Sequence, residues 1–163
     1  MIIGVFGAPV IYIATHIGAS GVLSQAYGGT TLSSDSLLTK INKVRQDNNL
    51  QELKDNSELA KIAYERAVYI ITSNEFAHQS SEGIKWIDFI ENSNVVYKTA
   101  GENLAKNYKR GDEVVKEWMA SPAHKENIIN EGYNITGISV VNSKDIIADS
   151  KMGVIIVQLF VSQ

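Results

Sequence analysis

The first 34 residues carry no Lys, Arg, Asp or Glu, and all 33 such side chains fall at or after Asp35. A folded domain in water needs charge spread over its surface, so the two parts cannot play the same role. Residues 2–26 are apolar with small residues mixed in and one lone His16, the pattern of an export segment. Ser24-Gln25-Ala26 places small residues where a signal peptidase reads, with Tyr27-Gly28-Gly29 as a flexible start beyond. About 20 apolar residues also suffice to span a bilayer, so a retained membrane anchor is a second reading. A buried extension within a longer protein is the third. The expected organisation is residues 1–26 as signal peptide or membrane anchor, 27–34 as a Gly/Ser/Thr linker, and 35–163 as the folded domain, extracellular or at the cell surface.

That domain is long enough to bury a core without covalent staples. Over the whole chain, hydrophobic residues are 44% and charged residues 20%, a globular balance that excludes a disordered or collagen-like chain. A net charge of −3 gives no basic field for phosphate backbones, and nucleic acid is excluded as a partner class. With no cysteine there is no disulfide framework, cysteine zinc finger, thiol nucleophile or iron–sulfur site.

Hydrophobic spacing places the elements. Leu37, Leu38, Ile41 and Val44 predict an amphipathic helix over 36–48, starting after Ser34 or Ser36. Asn56 or Ser57 can cap a second helix reaching Ser73, with Leu59, Ile62, Ala63, Arg66, Ala67 and Ile70 along one side. Ile84, Ile87 and Ile90 suggest a short third helix, and Val114, Val115, Trp118 and Met119 a fourth. Ser121-Pro122 reads as the cap and first residue of a fifth. Ile135–Asn142 and Gly153–Val161 are β-branched and apolar about a polar stretch, a β-hairpin signal. Helices first and strands last predict an α+β layer fold with Trp118, Val114, Leu59, Ile62, Ile138 and Val157 in the core.

Few residues are equipped for chemistry. His78 follows the second helix, and His124 lies in the short fifth one. Between them comes Ala100-Gly101-Glu102-Asn103-Leu104-Ala105, a carboxylate and an amide among small and apolar residues. A carboxylate in such surroundings needs a cationic, metal or hydrogen-bonding partner. Two imidazoles and a carboxylate are raw material for a divalent metal site or an acid–base pair, and equally for ordinary hydrogen bonds in a core or at a surface. There is no G-x-S-x-G elbow, H-E-x-x-H, phosphate-cradling loop or Rossmann fingerprint. Asn134-Ile135-Thr136 matches the glycosylation sequon at a frequency chance explains.

Taken in order, the motifs resemble a family. F-x-H (Phe76–His78), A-G-E-N-L-A (Ala100–Ala105), E-V-V-x-x-W-M-x-S-P-x-H-x-x-N-I (Glu113–Ile128), G-I-S-V-V and V-I-I-V-Q-L-F are similar to the CAP superfamily. Its members include cysteine-rich secretory and pathogenesis-related proteins, and the match is closest to short, cysteine-free bacterial SCP-like extracellular domains. Leu38, Ile41, Asn42, Arg45 and Leu50 fit the start of that domain, and the resemblance covers roughly residues 36–161.

The resemblance implies a three-layer α-β-α sandwich with a central antiparallel sheet. It also implies a central cavity lined by two histidines and two acids, which in several members binds a divalent metal such as zinc. Matched motif by motif, His78, Glu102 and His124 become the candidate metal ligands, with Asn103 and Ser121 beside them lining the cavity. The family's second glutamate falls on Ser121 here, with Glu117 or Glu126 as possible substitutes. No organic cofactor is implied. The expected function is a secreted or surface-anchored, non-catalytic binding module, taking a small apolar ligand such as a lipid, or a partner protein. A metal-assisted hydrolase with Glu102 handling the proton and a structural envelope-associated domain are the alternatives. The chain is expected to be a monomer that meets the membrane only through its N-terminal segment.

Overall fold

The computed structural model describes residues 32–163; the expected signal or anchor segment lies outside the described residues, as does most of the linker. The first helix, α1 (Ser34–Asp47), starts two residues ahead of the expected position, because Ser33 supplies the cap by accepting from Ser36 N through its Oγ at 3.2 Å. Its inward face is Leu37, Ile41 and Arg45. A two-residue strand, β1 (Lys54–Asp55), leads into α2 (Ser57–Ser73), which Asn56 caps by accepting from Leu59 N at 2.9 Å. The short third helix, α3, is Trp86–Glu91. Ile84, expected within it, lies before it and is 38% exposed.

After β2 (Thr99–Lys106) come α4 (Gly111–Ala120) and α5 (Pro122–Ile128), then the hairpin of β3 (Ile135–Asn142) and β4 (Val154–Ser162). Ser121 stands at the α5 cap position, but its side chain makes no capping bond; Pro122, which has no N–H to satisfy, opens the helix.

The sheet order is β1-β3-β4-β2. β4 pairs antiparallel with both neighbours, from Ile135 opposite Val161 on one side and Thr99 opposite Ser162 on the other. The brief β1–β3 pairing is parallel, so the central sheet is mostly, not wholly, antiparallel. α2 and α3 pack on one face through Leu59, Ile62, Ile70 and Ile90 against Leu104, Val157 and Leu159. α1, α4 and α5 cover the other through Leu37, Ile41, Val114, Trp118 and Ile128 against Ile138, Ile156 and Phe160. This is the three-layer α-β-α sandwich, and all six expected core residues are at most 5% exposed. α2 lies unusually close to β3: a Cβ on Gly137 would come within 2.2 Å of the Leu59 carbonyl carbon and 2.3 Å of Ala60 N.

β2 is the element that periodicity missed. Its central residues, Gly101 to Ala105, are all buried, so alternation cannot mark it, and Glu102-Asn103 sits where a buried strand normally has apolar residues. It is an edge strand, and such edges need cover. Side chains supply it: Trp118 Nε1 donates to Leu104 O at 3.0 Å, and Asn127 Nδ2 to Glu102 O at 3.2 Å.

Candidate functional site

Successive residues of a strand point to opposite faces, so Glu102 enters the α2 layer and Asn103 the α5 layer. Arg66 awaits Glu102 on the inward side of α2, only 1% exposed among aliphatic residues. Its Nε donates to Glu102 Oε1 at 3.0 Å. The same guanidinium donates to the Ala77 carbonyl and sits 5.5 Å from the Phe89 ring centroid. That fixes the segment after α2, and His78 Nδ1 donates to Glu102 Oε2 at 2.6 Å. Both carboxylate oxygens are thereby engaged. The Glu102 side chain is fully buried, while that of His78 is 52% exposed. Since the carboxylate accepts at Nδ1, Nε2 is the lone-pair nitrogen of a neutral His78.

On the other face, Asn103 Nδ2 donates to the His124 carbonyl at 3.1 Å, and Asn127 Nδ2 donates to Asn103 Oδ1 at 2.9 Å. Asn103 thus braces the backbone of α5. The His124 imidazole is half-buried, 6.5 Å between centroids from Trp118, with Nδ1 buried and making no hydrogen bond among the described residues. Burial, and secondarily the nearby His78, hold its pKa below the ordinary histidine value, against a smaller upward pull from Glu117. The α5 segment is itself anchored by Arg45, 1% exposed, which donates to the carbonyls of Ile128, Asn130 and Tyr133 at 2.8–3.0 Å. Gly101 admits α5 to the strand, since a Cβ there would lie 2.6 Å from Asn127 Oδ1.

The structure therefore brings His78 onto Glu102 directly and holds His124 beside the same strand edge through Asn103. Ser121 is half-buried at the α5 start, and Glu117 and Glu126 are exposed. Among the described residues, no group of three or more His, Cys, Asp or Glu is placed to hold a metal ion. Glu102 is committed to Arg66 and His78, leaving two imidazoles as donors. The donor set falls short of the two histidines and two acids that the family resemblance implies, and nothing below is routed through a metal. Two surface depressions, of about 310 and 390 Å³, lie elsewhere, against α2 and α3. Sequence reasoning missed Arg66 as the partner of Glu102 and Asn127 as the clasp on β2. A lone arginine on an apolar helix face was the available signal for the first; for the second there was none.

The fold and site define a three-layer sandwich whose histidine–carboxylate cluster straddles one sheet edge. The cysteine-rich secretory protein family, CAP, matches residues 38–160, and the chain belongs to it. It is similar to the protein YkwD of Bacillus subtilis (strain 168), 37% identical over 105 residues, which are 64% of this chain and 41% of YkwD. The chain thus spans less than half of that relative. Among solved structures, an outer surface protein of Borrelia burgdorferi superposes with a TM-score of 0.69 at 26% identity, covering 79% of this chain and 91% of that one. An extracellular protein containing a SCP domain from Bacillus anthracis gives 0.64 at 23% identity over 81% of this chain and 44% of its own, a likeness of fold.

Proposed function

We propose that the chain is the CAP module of an exported protein, displayed outside the cytoplasm, and that it works by binding and not by catalysis. The edge carrying His78 and His124 is the binding face, and a small apolar ligand or a partner protein is its occupant. One observation carries the non-catalytic reading: the Glu102 carboxylate is fully buried with both oxygens held by Arg66 and His78. A general acid or base must reach the reacting atom and exchange a proton with it, and Glu102 is spent on joining α2 and the His78 segment to β2. The outer-surface and extracellular relatives support display outside the cytoplasm.

The test has two parts. Protease shaving of intact producing cells should remove the domain, whereas protection until lysis would refute display. Incubation with peptide, ester and amide substrates should give no turnover; turnover that Glu102→Gln abolishes would establish the hydrolase instead.

A further inference from the structure

A groove independent of the histidine face lies between α2 and α3. Its volume is about 390 Å³, within the range of natural ligand sites. Its apolar lining is Ile84 and Phe89 above the buried Ile62, and its carboxylates are Glu58, Glu65 and Asp88. Ile84 is among the few large apolar side chains left exposed, at 38%. It stands ahead of α3, where it belongs to neither core cluster.

The charges do not cancel. Among the described residues, Lys61 is the one cation lining the groove, and its Nζ lies 4.0 Å from Glu65 Oε1, with both side chains more than half exposed; such a pair is weak and readily exchanged. Asp88 spends one oxygen on the Lys85 backbone N–H at 2.7 Å, and Lys85 itself is exposed. Glu58 makes no ion pair among the described residues. Asn92, Ser93 and Asn94 complete the polar side.

We infer that this groove docks a basic segment of a partner polypeptide, with the methylenes of a lysine or arginine against Ile84 and Phe89 and its cationic head toward Glu58 and Glu65. Long cationic side chains bury their stems on apolar surface while the head keeps polar company, and the groove offers both halves of that environment. A purely apolar occupant would leave the carboxylates without a partner, and an anionic one would meet net negative charge.

The experiment titrates the isotopically labelled full chain with a capped five-residue peptide, one lysine flanked by leucines. The amide shifts of Ile84, Phe89 and Asn92 are read. The lysine peptide should move these resonances, and its norleucine counterpart should bind about tenfold more weakly, the loss expected of one charge contact. Glu58→Gln with Glu65→Gln should produce a similar loss for the lysine peptide only; both positions are exposed on α2, so the fold is kept. Equal affinity for the two peptides, unchanged binding by the double variant, or no shift at these amides would overturn the inference. Cadaverine binding as tightly as the peptide would also overturn it, marking a free-amine site.

Discussion

Replacing Arg66 with methionine should be among the most damaging single changes on the site side of the sheet. Arg66 is 1% exposed and the Glu102 side chain is fully buried. The substitution therefore leaves a carboxylate out of water with only the half-exposed His78 beside it. Removing one partner of a buried pair costs about 3–5 kcal/mol, chiefly through the stranded charge. The bond to the Ala77 carbonyl is lost as well. Because the penalty lies in the orphaned carboxylate, a second change should relieve it: Arg66→Met with Glu102→Leu should recover most of the loss, since apolar replacement of a buried pair is often neutral. Urea unfolding of the wild type, both single variants and the double closes the cycle, with the slope checked for constancy. A loss below about 1 kcal/mol for Arg66→Met, or a double variant no more stable than Arg66→Met, would refute the reasoning.

Gly137→Ala should cost about 3 kcal/mol or more in the same assay, because its methyl meets the α2 backbone and not a movable side chain; a neutral result would mean α2 can recede from β3. Trp118→Ala should cost about 3–5 kcal/mol, and Trp118→Phe about 1–3 kcal/mol with the Leu104 carbonyl left unpaired; a near-zero loss for Trp118→Phe would show that the indole N–H contributes nothing. His124, whose folded-state pKa is depressed, binds its proton more readily in the unfolded chain, so the domain should lose stability as pH falls through about 6.5. Replacing His124 with glutamine should flatten that part of the stability profile, and an unchanged profile would assign the acid sensitivity elsewhere.

How much of this was legible in the sequence varied by element. Helices with one repeating apolar face were readable to within a few residues, as α2 shows, because burial on one face imposes a period, and β3 and β4 were readable as continuous β-branched, apolar runs about a polar stretch. β2 was hidden: like them it has no alternation, but Glu102-Asn103 interrupts its apolar run, and those two polar residues are stabilised by groups from other layers. The motif order brought Glu102 to notice and required that it have a partner, but not which one. That choice depends on α2 packing across β2, a contact spanning 36 positions, and local sequence carries no record of such a distance. Ser121 illustrates the opposite error: residue type predicted a side-chain cap, yet proline at the next position serves the helix start without one.

The central claim is that Glu102 is a structural carboxylate, held by Arg66 and His78 and withdrawn from solvent. A crystal structure of the zinc-soaked protein at neutral pH tests it most directly. Glu102 should remain fully buried, with Oε1 near 3.0 Å from Arg66 Nε and Oε2 near 2.6 Å from His78 Nδ1, whether or not zinc reaches the imidazoles. Glu102 released from Arg66 and bound, with His78 and His124, to a zinc ion carrying an open water position would contradict the account and restore the metal-assisted hydrolase.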